Sequence, residues 1–190
     1  MASNFAVVYD ACVLFPAPLR DLLMRLALTD LYRAKWTDQI HDEWTRNLIA
    51  RRPDLDAGRL QRTRSLMNDK VRDSLVVGYE HYIETIELPD LDDRHVVAAA
   101  IHAGAEAIVT FNLKDFPKAA LSKFNMEALH PDDFIMDLWD LHKGKVLAAV
   151  AEHRASLKNP PMSQENYLAT LLKQGLTNTV ATLSEFKMAL

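Results

Sequence analysis

Two short apolar runs constrain the fold of this chain most strongly. Residues 5–9 read Phe-Ala-Val-Val-Tyr, and residues 107–111 read Ala-Ile-Val-Thr-Phe. Both runs are rich in β-branched and aromatic residues, as is typical of strands buried on both faces of a sheet. Because helical patterns separate them, right-handed crossover connections and a parallel sheet are predicted. The sequence therefore favours an α/β fold with a central parallel sheet.

Helical spacing of apolar residues accounts for most of the remaining chain. A further short strand is predicted at residues 85–88. We predict helices at about residues 19–31, 37–52, 56–73, 92–103, 132–143, 144–157, 164–174 and 178–188. Breaks at residues 159–161 and at Gly175 separate the last helices. The predicted organisation is one α/β domain, residues 1–130, followed by a helical C-terminal extension, residues 131–190.

Composition indicates an ordinary globular protein. The chain has 190 residues, of which 49% are hydrophobic and 25% are charged. No apolar run approaches the ~18 residues that a membrane span needs, and residues 1–10 lack the pattern of a secretory signal. We therefore expect a cytoplasmic protein with no membrane partner. The single cysteine, Cys12, cannot form a disulfide within the chain and is predicted to be a buried side chain.

The charge is unevenly distributed. The chain as a whole carries a net charge of −4. Between Arg51 and Arg72, however, seven basic residues face three acidic ones, so this basic segment has a net charge of +4. Such a segment is typical of a solvated helix surface, and it is also compatible with contacts to the phosphates of a nucleic acid.

Acidic side chains follow the apolar runs where parallel strands converge. Asp10 comes directly after the first run, and Asp115 follows the second within four residues. Asp93 begins the helix that comes after the predicted strand at residues 85–88. The carboxyl ends of parallel strands meet at one edge of a sheet, where ligands bind. We therefore expect these three aspartates to lie close together, with Glu43 pointing inward from its helix.

Clustered carboxylates of this kind indicate a cation. The carboxylates raise each other's pKa unless a positive charge lies between them. Because the donors are oxygens, the expected ion is Mg²⁺ or Mn²⁺. The seven histidines are scattered and lack the HExxH pattern, so a zinc site is not indicated.

Four ordered segments carry these acids, and together they resemble a known family. The segments read Val8-Tyr9-Asp10-Ala11-Cys12-Val13-Leu14, Asp42-Glu43-Trp44, Asp92-Asp93-Arg94-His95-Val96-Val97-Ala98-Ala99-Ala100 and Ile108-Val109-Thr110-Phe111-Asn112-Leu113-Lys114-Asp115-Phe116. This set resembles the PIN-domain ribonucleases, in particular the VapC-like toxins of bacterial toxin–antitoxin pairs. The resemblance covers roughly residues 5–130.

The resemblance implies a three-layer α/β/α fold and an acidic Mg²⁺ or Mn²⁺ site that cleaves RNA. By position, Asp10, Glu43 and Asp93 match the metal-binding and catalytic acids of the family. The fourth place stays open between Asp115 and Asn112, because Asn112 stands where many relatives carry an acid. The resemblance also implies a cognate antitoxin, and a homodimer is possible since many PIN toxins dimerise.

Four further residues are candidates for substrate binding. Arg46 and Arg94 carry guanidinium groups, which pair well with phosphate. Thr110 lies near the end of the second apolar run and can hold a carboxylate or contact a phosphate through its hydroxyl, and Asn112 directly follows the run. The alternative function is a catalytically weak PIN-like module that binds RNA or protein. A phosphatase of the haloacid dehalogenase type is disfavoured, because Cys12 stands where that family typically has its second aspartate.

Overall fold

Four parallel strands form the centre of the molecule. The computed structural model describes residues 5–158 and 160–187. The strands are ordered β2-β1-β3-β4, where β1 is Ala6–Tyr9, β2 is Arg33–Lys35, β3 is Ala107–Val109 and β4 is Glu127–Leu129. Every residue of β1 and β3 is buried, which explains why both strands lack polar alternation.

Helices flank this sheet. They are α1 (Ala11–Leu14), α2 (Ala17–Ala27), α3 (Asp38–Arg51), α4 (Ala57–Lys70), α5 (Arg94–Ala103), α6 (Lys118–Leu121), α7 (Pro131–Ser156), α8 (Gln164–Lys173) and α9 (Thr177–Ser184), with 3₁₀ turns at Glu80–Thr85 and Ser122–Phe124. Thr37 caps α3 by accepting a hydrogen bond from the backbone N–H of Ile40. Gly104 ends α5 in the left-handed conformation, with φ of 60°. The predicted α/β fold with a parallel sheet and C-terminal helices is confirmed.

The predicted strand at residues 85–88 is wrong. Residues 80–85 form a 3₁₀ turn instead, and residues 86–88 pair with no strand in the described chain. Ile86 and Leu88 are buried while Glu87 between them is exposed. This segment therefore has the alternating burial of a strand without a backbone partner, which sequence periodicity alone cannot distinguish.

Helix α2 is shorter than predicted, and strands β2 and β4 were not predicted. The predicted helix at residues 19–31 ends at Ala27, because the Thr29 hydroxyl donates to the carbonyl of Leu26 and Asp30 adopts a φ of 58°. Strands β2 and β4 have three residues each and include charged side chains, so their pairing with β1 and β3 depends on tertiary contacts.

The C-terminal helices are joined to each other and to the sheet domain. The buried Asp132 carboxylate accepts hydrogen bonds from the backbone N–H groups of Asn178 and Thr179, at 2.8 and 2.9 Å, and so caps α9. Helix α7 contains one residue of non-helical geometry, His142, which lies at the predicted boundary between two helices. Helix α7 also packs against α2, and the division into two units at residue 130 stays a prediction. Of the described helices, none is long and apolar enough to cross a membrane.

A chain of buried polar side chains attaches α4 to α3. The indole N–H of Trp36 donates to Oδ1 of Asn68 at 2.7 Å, and the indole N–H of Trp44 donates to Nδ1 of His41 at 3.0 Å. Nδ1 of His41 is thus an acceptor, and the proton lies on Nε2, 3.0 Å from Oδ1 of Asn68. One amide oxygen therefore accepts from two buried donors and fixes the helix that carries most of the basic segment.

Replacing Asn68 tests this attachment. Asn68→Ala leaves two buried donors unpaired, so we expect the free energy of unfolding to fall by about 2–4 kcal/mol. Asn68→Asp keeps an acceptor oxygen and is expected to lose less. Urea denaturation at pH 7 measures both changes, with the exposed Asn47→Ala as the control. Equal stability of the Asn68→Ala and Asn47→Ala proteins would contradict the role of Asn68.

Candidate active site

Asp10 lies at the carboxyl end of β1 and is held by two side chains. Its Oδ2 accepts hydrogen bonds from the Thr110 hydroxyl at 2.7 Å and from Sγ of Cys12 at 3.0 Å. Thr110 directly follows β3, the neighbour of β1, so the strand pairing itself places this hydroxyl beside Asp10. The side chain of Asp10 is almost completely buried, and its orientation is fixed.

The surroundings of Asp10 act on its pKa in opposite directions. Burial raises the pKa of this carboxyl, because the charged form loses its hydration. The hydrogen bonds from Cys12 and Thr110 lower it, and the charge of Glu43 raises it again. The pKa of Asp10 is raised overall, which indicates that the surrounding protein does not fully compensate the negative charge of this carboxylate.

Asp93 lies among the other acids. It precedes α5, but its carboxylate makes no capping hydrogen bond to that helix. Partial burial, together with the charges of Asp10, Asp90, Glu43 and Asp115, raises the pKa of Asp93 to about 7. The carboxylates whose charges act on Asp93 are therefore those that converge on this edge of the sheet.

Glu43 and Asp115 reach the same edge from different elements. Glu43 projects from α3 with 30% of its side chain exposed, and its Oε2 lies 3.4 Å from Nε2 of His95. Asp115 lies in a turn that is closed by a hydrogen bond from its backbone N–H to the carbonyl of Asn112. The Asn112 side chain is exposed, whereas its backbone N–H donates to the Thr110 hydroxyl. This arrangement favours Asp115 over Asn112 as the fourth acid.

The donor chemistry of this cluster fits a divalent cation. In the part of the chain that the structure describes, neither lysine nor arginine forms an ion pair with Asp10, Glu43, Asp93 or Asp115. All four offer hard carboxylate oxygens, the ligands that Mg²⁺ and Mn²⁺ prefer. Within residues 5–158 and 160–187, however, no three metal-binding side chains lie close enough to surround one point. The acids share an edge without forming a coordination shell.

A polar cleft of about 470 Å³ opens beside the acids, between α3 and the start of α5. The residues that line it are Gln39, Asp42, Glu43, Arg46, Asn47, Asp92, Asp93 and His95. Arg46, for which a phosphate contact was predicted, borders this cleft. Arg94 is directed elsewhere, because its Nε donates to the carbonyl of Leu91 and its guanidinium lies 3.8 Å from Glu84.

Three residues at the site were not predicted to be there. Cys12 was expected to be only a buried side chain, yet its Sγ bonds to Asp10 and also accepts from the backbone N–H of Phe111. His95 was set aside among the scattered histidines, and Asp90, whose charge contributes to the raised pKa of Asp93, was not among the predicted site residues. The available signal was proximity in sequence, since Cys12 lies two residues after Asp10, and His95 lies two after Asp93.

Part of the basic segment is neutralised within the fold. Arg64 bridges two acids of α3, with its guanidinium 2.5 Å from Asp42 and 3.3 Å from Asp38. Arg52 pairs with Asp54 at 2.8 Å, and both of these side chains are exposed. The charge available to a ligand on this segment is therefore smaller than the sequence count indicates.

Comparison with known proteins agrees with this architecture. A family model for the PIN domain matches residues 6–114, more than half of the chain. The chain belongs to the PIN-domain family. A second model, the VapC50 C-terminal domain, matches residues 131–185, which correspond to α7–α9. The predicted resemblance to VapC-like PIN proteins is confirmed. The PIN-domain match contains Asp10, Glu43 and Asp93 and ends one residue before Asp115.

One curated relative of this PIN protein shares considerable sequence with it. "Putative ribonuclease VapC50" of Mycobacterium tuberculosis (strain ATCC 25618 / H37Rv) is 43% identical over 82 residues. The match covers 43% of this chain and 48% of the relative, so the chain spans about half the length of the relative it matches. No solved structure matches the chain.

Removing the charge of Asp93 is expected to stabilise the metal-free protein. The pKa of Asp93 is about 7 in the folded chain and near 3.8 when unfolded, so the folded state loses stability as the pH rises through this range. Asp93→Asn should therefore raise the free energy of unfolding at pH 8 by roughly 1–2 kcal/mol, after allowance for solvent screening.

The pH dependence of this gain provides the check. We expect it to shrink towards zero at pH 4, where the wild-type carboxyl is protonated in the folded state. Denaturation with urea in the presence of a chelator measures it, with the exposed Asp140→Asn as control. A gain that is the same at both pH values would show that Asp93 is not under this repulsion.

Proposed function

We propose that this chain is a divalent-metal-dependent endoribonuclease, with Mg²⁺ or Mn²⁺ as the ion. The observation that carries the proposal is the convergence of Asp10, Glu43, Asp93 and Asp115 at one edge of a PIN-type sheet, where burial and the charges of the neighbouring acids together raise the pKa of Asp93 to about 7. A bound cation would relieve the repulsion between these acids and would assist phosphodiester cleavage. The relative named as a ribonuclease supports RNA as the substrate.

The four acids would hold the ion, with Asp10 as the most rigid of them. A bound Mg²⁺ or Mn²⁺ activates water and stabilises negative charge on the phosphate oxygens. Thr110 and Cys12 orient the Asp10 carboxylate, so we assign Thr110 to the support of the site rather than to direct phosphate contact. Arg46 borders the cleft and is the side chain that we assign to the RNA backbone. The basic segment assists at longer range.

The matching C-terminal domain supports a toxin of the VapC type as the cellular role. In this role a small antitoxin protein binds the toxin and blocks cleavage. Induced expression of the chain alone in bacteria should then arrest growth, and co-expression of its cognate antitoxin should restore growth. A housekeeping nuclease would need no such partner.

The first test is RNA cleavage by purified protein with Mg²⁺ or Mn²⁺. We expect Asp10→Asn and Asp93→Asn each to reduce cleavage by roughly 100-fold or more, since a metal site contributes several kcal/mol to the transition state. Asp140→Asn, which changes an exposed aspartate of α7, should cleave like wild type. Undiminished cleavage by both site variants would refute the proposal, and RNA binding without cleavage by wild type would favour the binding module.

The fourth ligand position is tested separately. Asp115→Asn should reduce cleavage by about tenfold or more, because the charge of Asp115 is close enough to raise the pKa of Asp93. Asn112→Ala should have a smaller effect, since the contact of Asn112 with the site is made by its backbone N–H. The opposite ranking of these two variants would assign the fourth position to Asn112. Circular dichroism confirms that both proteins are folded.

A further inference from the structure

His95 is a buried side chain against the acidic site. It lies in the first turn of α5, two residues after Asp93, and only 4% of its side chain is exposed. Its Nε2 lies 3.4 Å from Oε2 of Glu43. Its Nδ1 is buried and has no hydrogen-bond partner in the described part of the chain. Nε2 is therefore the ring nitrogen that faces Glu43, and the side chain as a whole borders the cleft.

We propose that His95 is a positioning residue for Glu43, which directs the Nε2–H group of a neutral imidazole at the carboxylate. The proposal rests on the function proposed above, because it assigns Glu43 to the metal site. It adds a residue that acts through Glu43 and does not itself contact the ion.

The two ring nitrogens determine which tautomer is present. A carboxylate only accepts hydrogen bonds, so the nitrogen that faces Glu43 must carry a proton. A proton on Nδ1 as well would leave a buried N–H without an acceptor among the described residues, which is unfavourable. The favoured species has Nε2 protonated and Nδ1 bare. Such an imidazole orients Glu43 without adding a positive charge, so the acids keep their charge for a cation.

Glu43 needs a positioning contact more than Asp10 does. Asp10 is buried and accepts hydrogen bonds from two side chains. Glu43 has a longer side chain, projects from a helix and is 30% exposed. The imidazole of His95 lies next to its carboxylate. Fixing such a side chain in one rotamer costs conformational entropy. A contact that already holds the side chain before the ion binds lowers this cost during ion binding.

The test compares His95→Gln with His95→Leu. The Gln amide nitrogen takes the place of Nε2 and keeps a donor, whereas Leu fills similar space without one. Titration calorimetry with Mn²⁺ should show about tenfold or weaker binding for His95→Leu, and binding within about threefold of wild type for His95→Gln. His102→Gln, on the exposed side of the same helix, should bind Mn²⁺ like wild type.

Nuclear magnetic resonance of the metal-free protein tests the contact itself. The ¹⁵N shifts of His95 should show a proton on Nε2, and Glu43→Ala should change these shifts. A proton on Nδ1 would overturn the proposal, and so would ¹⁵N shifts of His95 that are unchanged in Glu43→Ala. Folded His95→Leu protein that binds Mn²⁺ with wild-type affinity would also overturn it. Equal losses in His95→Leu and His95→Gln would also overturn it. Wild-type protein that binds no Mn²⁺ would instead contradict the proposed function.

Discussion

The pairing of β1 with β3 is the interaction on which the site depends. The backbone N–H of Asp10 donates to the carbonyl of Val109 at 3.1 Å, which extends the ladder one residue beyond β1. This register puts Asp10 beside Thr110, whose hydroxyl then bonds the carboxylate. A parallel ladder requires both strands to end at the same edge, so the loops that carry Asn112 and Asp115 leave the sheet next to Asp10.

The same edge concentrates charge that the protein does not neutralise. Elsewhere, acids are paired within the fold: Arg64 bridges Asp38 and Asp42, and Asp132 caps α9. Those contacts give each of these acids a partner within the fold. Asp93 has no such partner among the described residues, which distinguishes it from these paired acids more clearly than sequence position does.

The fold was predicted from sequence where burial leaves a strong pattern. Strands β1 and β3 are apolar throughout, and α3 has both a capping residue and an apolar stripe, so these elements were found. Strands β2 and β4 were missed because three residues with charged members carry no periodic signal. The segment at residues 85–88 was misassigned because its alternating burial imitates a strand.

The site was predictable only in part, for a related reason. Strand ends place Asp10 and Asp115, and the start of a helix places Asp93. The direction of a side chain on a helix depends on packing, so the sequence does not reveal that Arg94 bonds to Leu91 or that His95 faces Glu43. The assignments of individual site residues stay predictions.

The hydrogen bond between Asp10 and Thr110 joins residues that are 100 positions apart in the chain. During synthesis, β1 therefore leaves the ribosome long before its partner strand exists. Until β3 emerges and pairs, Asp10 has neither the Thr110 hydroxyl beside it nor Asp115 nearby. The acidic centre thus assembles late, because a partial chain that stops before β3 contains Asp10, Glu43 and Asp93 but lacks both Thr110 and Asp115.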